Sequence, residues 1–253
     1  MTYRTEYDPD AGKKPVRAPQ TKSKRGWKIF LRDIVLIFLA ALLISFLIKT
    51  FLIRSFYIPS SSMEETLHID DRIIVNQLEP KLMPIEHGDV VVFKDPGGWL
   101  TPQVEVPVNP FVGAVDAVLA FVGLSAPDSN DHLIKRVIGL PGDTVVCCND
   151  FGQLTVNGIP LEEPYIHLEQ GITKATPGDF EITVPEGKLW VMGDNRFNSS
   201  DSAYHNLKGD PGEGFVPIDN VVGRALLISW PVDRWTWLDN YPTTFRGVEI
   251  GAQ

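Results

Sequence analysis

The sequence has few of the residues on which metal and redox centres are built. Among its 253 residues are two cysteines, adjacent at Cys147 and Cys148, and five histidines. No second cysteine pair and no histidine stands at ligand spacing from them, so a zinc site is not expected. No HExxH motif and no glycine-rich nucleotide loop occurs either. We therefore predict that the protein uses no metal and no cofactor.

The sequence also lacks the basic character of a nucleic-acid-binding protein, because its formal net charge is −9. Residues 1–28 carry eight basic and three acidic residues, a charge of +5 that leaves −14 for the remainder. A body of that charge repels phosphate. We predict no nucleic-acid partner and assign the basic head to membrane topology instead.

One apolar segment is long enough to span a bilayer. Residues 1–27 are polar, and we expect a disordered cytoplasmic tail. The stretch 34–48 contains a single polar residue, and its flanks extend a predicted transmembrane helix over 28–54. A cleaved signal peptide is the alternative, but no small-X-small cleavage site follows. We predict an uncleaved signal anchor that crosses the plasma membrane once and leaves 55–253 outside the cytoplasm.

The sequence of the exported part predicts a mainly β, antiparallel domain. Short β-branched segments bounded by turn residues predict strands, and no repeated helical crossover suggests a parallel sheet. Asn157-Gly158 is a tight-hairpin signal within a small β cap predicted at about 145–188. The predicted strands cover 71–76, 88–94, 132–138, 144–147, 153–156, 181–184, 188–192 and 221–230.

Each of three features of the sequence allows two interpretations. An insert at about 95–131 is either a helix packed on the core or an amphipathic element on the membrane. Cys147 and Cys148 either form a vicinal disulfide in the oxidising exterior or stay unpaired. The C-terminal aromatic residues either contact lipid headgroups or cover a sheet edge; they are Trp230, Trp235, Trp237 and Tyr241.

Three consecutive serines follow the apolar segment closely, at Ser60, Ser61 and Ser62. On local sequence alone they suit a solvated loop. No GxSxG motif and no SxxK arrangement accompanies them. A serine hydroxyl attacks a carbonyl only when a base takes its proton, so the base must come from elsewhere in the chain.

Five sequence blocks in order resemble the bacterial type I signal peptidases. They are FYIPSSSMEETL, DDRIIVNQ, GDVVVFK, HLIKRVIGLPGD and MGDNRFNSSDS, and they follow the predicted anchor. The resemblance implies a signal-peptidase type of antiparallel β-sheet catalytic domain. It also implies a membrane serine endopeptidase that cleaves signal peptides from exported preproteins after Ala-X-Ala-like sites.

The resemblance also implies roles for particular residues. Ser62, which precedes the methionine of its block, corresponds to the nucleophile, and Lys135 of the KR pair corresponds to the general base. Ser60 corresponds to the oxyanion-hole hydroxyl, which acts with the Ser62 N–H, and Ser199 corresponds to the serine that holds the lysine amine.

Three further residues are implied to order the last loop: Asp194, Arg136 and Asp201, with Asp194 paired to Arg136. Phe197 stands where an aspartate is common, and Ala203 replaces an arginine that would pair with Asp201. These two departures put the ion-pair support of the loop in doubt but leave the dyad intact.

Other positions matter for spacing and for the substrate. Ser61 replaces a glycine and Glu65 a proline of the family pattern. Small pockets for two residues upstream of the scissile bond are implied, although the same side chains would also suit a plain core. They are Phe56, Ile58, Met63, Leu67, Leu133 and Ile134.

Lys135 must lose its proton to act as a base. A free lysine is neutral in only about one molecule in 2,500 at pH 7, but burial lowers its pKa by up to several units. Its alternate neighbours, Leu133 and Val137, are apolar, which favours a buried position on one face of a strand. The alternative is that Lys135 is exposed to solvent, as most lysines in proteins are.

The predicted function is therefore cleavage of preproteins through an acyl-enzyme on Ser62, with Lys135 as the base. The expected partners are secretory preproteins and membrane lipid, and the chain is expected to be a monomer. Two alternatives stay open: a catalytically silent, membrane-tethered protein that only binds signal peptides, and a Ser–Lys autoprotease of related fold.

Overall fold

The computed structural model describes residues 23–100, 131–168, 170–209 and 214–248. The chain divides into two compact units, Met1–Phe46 and Leu47–Gln253. Most of the predicted tail and the apolar part of the predicted insert lie outside the described residues.

The first described element is a long apolar helix, α1, which runs from Ser23 to Phe51. Its stretch Ile29–Ile48 is long and apolar enough to cross a membrane, and none of that stretch is buried. The first strand starts at Ile53, two residues after the helix ends. The predicted anchor, 28–54, therefore included the first two residues of this strand. Ile53 continues the apolar run, and nothing in the local sequence marks the end of the helix.

Among the described residues, the second unit contains twelve strands, numbered here in chain order. They are β1 (Ile53–Tyr57), β2 (Arg72–Asn76), β3 (Val90–Lys94), β4 (His132–Gly139), β5 (Thr144–Cys147), β6 (Leu154–Val156), β7 (Ile159–Pro160), β8 (Phe180–Thr183), β9 (Lys188–Met192), β10 (Val216–Pro217), β11 (Val221–Trp230) and β12 (Thr236–Trp237).

These strands build two antiparallel sheets, as predicted. The large sheet has eight strands in the order β1-β2-β11-β3-β4-β9-β10, with β12 paired to β11. The small sheet has four strands in the order β7-β6-β5-β8 and falls within the stretch predicted as a β cap. All eight predicted strands are present. Those missed include β7, β10 and β12, which have two residues each and no alternating pattern to detect.

Cys147 and Cys148 form a disulfide at the end of β5. Of the two interpretations left open by the sequence, the structure has the vicinal disulfide. Asp179 lies close to both sulfur atoms. Sulfurs that are bonded to each other are not thiolate ligands, so this cluster is not a metal site in the oxidised protein.

Strand β4 has neighbours on both sides, with β3 paired to it through Val91↔Lys135 and β9 through Arg136↔Met192. Since successive side chains on a strand point to opposite faces, Leu133 and Val137 share one face with Lys135. Both pack in a core cluster with residues of β3 and β9, while Ile134 packs in a separate cluster with residues of β1, β2 and β11.

One short helix was not predicted: α2, from Ser202 to Lys208. Asp201 caps it, because its carboxylate accepts hydrogen bonds from the backbone N–H groups of Ala203 and Tyr204. The preceding residues are rich in serine and asparagine and read as a loop. A capping aspartate before a short polar helix resembles any turn aspartate in sequence.

Candidate active site

The three serines lie on a segment that leaves β1 and is held by buried apolar side chains on either side. Ile58 and Met63 flank them, and these two side chains are 2% and 0% exposed. The Ile58 N–H donates to Asp71 O, and the Asp70 N–H donates to Ile58 O. Anchored in this way, Ser62 is itself only 7% exposed.

Ser62 and Lys135 meet although they are far apart in sequence. Lys135 Nζ donates a hydrogen bond to Ser62 Oγ at 2.7 Å and another to Ile134 O at 2.9 Å. Lys135 is 3% exposed. A nucleophile within hydrogen-bond distance of a buried amine is the geometry that proton transfer between them requires.

Burial shifts the lysine toward its neutral form. Removal from water lowers the pKa of Lys135 to about 8, although the negative charges of Asp201 and Asp194 act in the opposite direction. At pH 7 roughly one molecule in ten then has a neutral amine, compared with about one in several thousand for a free lysine. The two carboxylates oppose the shift without cancelling it.

The two serines that are predicted to support the dyad line the same cavity as Ser62 and Lys135. Ser60 Oγ is 3.4 Å from Ser62 Oγ, and Ser60 is exposed to solvent. Ser199 Oγ is buried, and among the described residues it has no hydrogen-bond partner. The structure thus brings Ser199 to the cleft but does not show its hydroxyl bound to Lys135.

Arg136, the neighbour of Lys135, makes the ion pair expected with Asp194. Its Nε donates to Asp194 Oδ1 at 2.9 Å and its Nη2 to Asp194 Oδ2 at 2.7 Å. Its Nη1 donates to Gly88 O and Asp239 O. The guanidinium also lies over the ring of Tyr165, 4.1 Å from its centroid.

Asp201 orders the loop by a different contact from the one the family pattern suggests. Its Oδ2 accepts from the Gly193 N–H at 2.9 Å, and its Oδ1 accepts from the N–H of Ala203. Backbone donors thus bind the carboxylate where an arginine is missing. The loop also needs Gly193 itself, since a Cβ there would lie 2.3 Å from Ser199 Oγ and 2.5 Å from Ser62 O.

Two asparagines hold the serine segment, and the sequence analysis missed both. Asn195 donates from its N–H to Ser62 O at 3.1 Å and from Nδ2 to Ser61 O at 3.2 Å. Asn198 Nδ2 donates to Ser61 Oγ at 2.9 Å. Their sequence block had been assigned to loop ordering, and nothing local shows that its amides reach a segment more than a hundred residues away.

Two cavities lie near the serine segment and share Leu133 in their linings. The larger has a volume of about 430 Å³ and is lined by Ser60, Ser62, Lys135 and Ser199 together with aromatic side chains. The smaller has a volume of about 20 Å³. Of the six predicted pocket residues, Phe56, Ile58, Leu133 and Ile134 line the smaller cavity, and Leu133 lines both. Met63 and Leu67 have no exposed surface, pack in the core and line neither cavity.

Residues 31–230 match the family described as "Signal peptidase, peptidase S26". A Mycobacterium leprae (strain TN) protein named "Probable signal peptidase I" is 40% identical over 231 residues, which cover 83% of this chain and 78% of that protein. Signal peptidase I of Mycobacterium tuberculosis (strain CDC 1551 / Oshkosh) is 40% identical over 222 residues, which cover 81% of this chain and 74% of that protein.

A solved structure of signal peptidase I from Enterococcus faecalis V583 is 26% identical and covers 55% of this chain and 95% of that chain. Its TM-score is 0.35, which is too low to support an argument from the superposition.

Proposed function

Since this chain belongs to the signal peptidase family S26, the serine endopeptidases that cleave signal peptides, we propose that Ser62 and Lys135 carry its reaction. The single observation behind the proposal is the 2.7 Å hydrogen bond between Lys135 Nζ and Ser62 Oγ in a buried setting. The proposed substrates are secretory preproteins that present an Ala-X-Ala-like sequence before the scissile bond.

In the first step, neutral Lys135 takes the Ser62 proton while Ser62 Oγ attacks the carbonyl carbon before the scissile bond. The oxygen of that carbonyl becomes an oxyanion, which the Ser60 hydroxyl and the Ser62 N–H stabilise. Donors preorganised at such a position are worth about 10²–10³ in rate each. The tetrahedral intermediate collapses when the lysine ammonium returns the proton to the leaving amine.

The products of this step are a new N-terminus and an ester between Ser62 and the signal peptide. Lys135 is then neutral again and removes a proton from water, and the resulting hydroxide equivalent attacks the ester carbonyl. Collapse of the second intermediate releases the signal peptide as a carboxylate and restores the Ser62 hydroxyl. One base therefore serves both half-reactions.

The smaller cavity supports the preference for small upstream residues. At about 20 Å³ it offers roughly the space of one water molecule, so a methyl side chain fits and a larger one does not. Six of the nine lining residues are apolar and under 10% exposed, among them Phe56, Ile58 and Ile134. Rigid, buried walls exclude larger side chains because packed interiors do not expand at low cost.

Cleavage of a preprotein by the full-length chain in detergent tests the dyad. Ser62→Ala and Lys135→Ala should each lose activity by at least about 10³, and the matched control Lys94→Ala, an exposed lysine one strand away, should not. Binding of the preprotein without cleavage by the wild type would support the signal-peptide-binding alternative. Cleavage confined to the chain itself would support the autoprotease alternative.

We further propose that α1 spans the plasma membrane once, with its basic N-terminal flank in the cytoplasm, and that the catalytic unit works as a monomer. All the proposed catalytic residues come from one chain, so no second copy is needed to complete the site. Protease protection of membrane vesicles tests the orientation, and light scattering of the detergent-solubilised chain tests the monomer.

The exposed tryptophans at the end of the large sheet support contact with lipid. Trp230, Trp235 and Trp237 are 54%, 58% and 63% exposed, while Tyr241 packs by Arg136 instead. Amphipathic tryptophan rings favour the headgroup region of a bilayer. Replacing all three by alanine should slow cleavage in vesicles and leave cleavage of a short soluble peptide unchanged.

A further inference from the structure

The larger cavity extends well beyond the space that the proposed chemistry uses. Because the small upstream side chains are assigned to the smaller cavity, most of the 430 Å³ of the larger one is left unfilled. The rest of the lining includes Trp99, Leu100, Phe197 and Tyr204, which we call the aromatic wall, and the polar residues Asn198 and Ser200. None of these side chains has a role in the dyad or in the smaller cavity.

The aromatic wall is built from two separate segments that contact each other. Trp99 follows β3, and its ring is stacked on that of His205 in α2 at 4.5 Å between centroids and 11° between planes. Trp99 also meets Phe93 edge-on, and it is only 7% exposed. His205 in turn contacts Ser200 Oγ through Nε2 at 2.9 Å.

The short segment that carries Trp99 is fixed by one carboxylate. Asp95 Oδ1 accepts from the N–H groups of Gly97 at 2.9 Å and Trp99 at 3.0 Å. Asp95 Oδ2 accepts from the N–H of Leu100 at 3.1 Å. The wall therefore has a defined backbone before any substrate arrives, and a preorganised surface loses little entropy on binding.

The direction of the peptide through the site follows from the proton transfers. Lys135 must protonate the leaving amine, so the residue after the scissile bond has to lie beside Lys135 Nζ. Lys135 lines the larger cavity and is absent from the lining of the smaller one. Upstream residues lead into the smaller cavity, and the downstream residues are left with the aromatic wall.

We propose that the aromatic wall binds the first residues downstream of the scissile bond and favours a large apolar side chain there. This inference rests on the proposed function, because it takes the direction of the peptide from the role of Lys135. It adds a specificity element to the side of the substrate that becomes the mature protein. The four apolar or aromatic side chains of the wall, with the polar Asn198 and Ser200 beside them, form the kind of lining that holds an apolar side chain.

Three substrates with the same Ala-X-Ala upstream half test the proposal. Two are peptides with either phenylalanine or glycine after the scissile bond, and the third is a thioester of the upstream half, which has no downstream residue. The wild type should cleave the phenylalanine peptide with a kcat/KM about tenfold above that of the glycine peptide, a difference typical of one apolar pocket contact.

Trp99→Ala and Tyr204→Ala should each reduce that preference and should turn over the thioester at the wild-type rate. Tyr204 is 40% exposed, so its variant tests the wall even if removal of the buried Trp99 ring impairs folding. Phe151→Ala removes an aromatic ring that is 82% exposed and distant in sequence from the wall, and it should keep the wild-type preference.

Equal cleavage of the two peptides by the wild type would overturn the aromatic wall as a specificity element. Equal loss of activity by the variants on peptides and thioester would overturn it too, because the side chains would then act on the dyad or the fold. Failure of the wild type on all three substrates would instead overturn the proposed function, and this inference with it.

Discussion

Lys135 and Arg136 are adjacent buried basic residues on one strand, but different groups surround their side chains. The guanidinium of Arg136 has a carboxylate, two backbone carbonyls and an aromatic ring around it. The amine of Lys135 has a hydroxyl and one carbonyl. Burial alone would lower both pKa values, but Asp194 raises that of Arg136, while that of Lys135 falls to about 8.

Under the proposed mechanism, the contrast explains how one strand supplies both a fixed charge and a base. A buried cation stays charged when an opposite charge is in contact with it, and it becomes a base when that charge is kept at a distance. Asp194 contacts Arg136 directly and influences Lys135 only through space. Alternation along β4 separates the two environments by a single residue.

The largest effect on stability is expected from removing the negative charge that is paired with Arg136. Asp194→Asn leaves the guanidinium buried without its counter-ion, and breaking a buried pair in this way costs about 3–5 kcal/mol of stability. Asp179→Asn provides the control, since it breaks the solvent-exposed Lys174–Asp179 pair, which is worth less than about 1 kcal/mol. Denaturant unfolding of the detergent-solubilised chain measures both. Equal losses would contradict the special role of the buried pair.

Removal of the charge at Lys135 is expected to increase stability, because burial of that charge opposes folding. Below pH 8 the folded protein bears the whole cost of a pKa lowered from 10.5 to about 8, which corresponds to about 3 kcal/mol. Lys135→Met should therefore be inactive but more stable at pH 7. The unfolded chain binds more protons between pH 8 and 10.5, so wild-type stability should rise through that range and the difference should shrink.

Lys94→Met is the control for this gain, because Lys94 lies on the adjacent strand β3 and is exposed to solvent. It should change stability little and show no comparable dependence on pH. A loss of stability in Lys135→Met at pH 7 would contradict the assignment of a costly buried charge.

The smallest expected effect is a shift in the pH dependence of kcat/KM, which follows the protonation of Lys135. Since only the neutral amine acts as a base, kcat/KM should rise by about tenfold per pH unit below pH 8 and level off above it. Ser199→Asp would give Lys135 a nearby carboxylate like that of Arg136. A charge at that position raises a lysine pKa by about one to three units, so the rise should move to higher pH.

Ser199→Asn separates the charge from the change of shape, because it has the same size as aspartate and no charge. It can reduce activity but should leave the pH of the rise where it is in the wild type. The same displacement in both variants would show that the hydroxyl of Ser199, and not the local charge, determines the pKa of Lys135.

Local sequence was a good guide to the strand that bears these two cations. The alternation of Leu133 and Val137 with Lys135 predicted one buried face, and both are 8% exposed or less. Turn residues and β-branched runs also located most of the other longer strands, because these patterns report on burial and backbone conformation close in sequence. The five-residue β1 was missed, because it follows the apolar helix almost directly.

Contacts between distant segments were harder to predict. Met63 and Leu67 are core residues although their motif neighbours line a cavity, and burial on one side or the other of a loop leaves no periodic signal. The contribution of Trp99 was missed as well, because a Pro- and Gly-containing stretch normally indicates an open loop. That stretch is ordered by the carboxylate of Asp95, which binds three backbone N–H groups, and by the packing of the Trp99 ring on Phe93 and His205.

The alternation of β4 also makes the proposed base depend on the register of the strand. A shift of the strand by one residue would exchange its faces, so that Arg136 would point into the cleft and Lys135 into the site of the ion pair. Arginine stays protonated and cannot serve as the base, and Asp194 would hold lysine in its charged form. A molecule folded in that register would thus lack the proposed base.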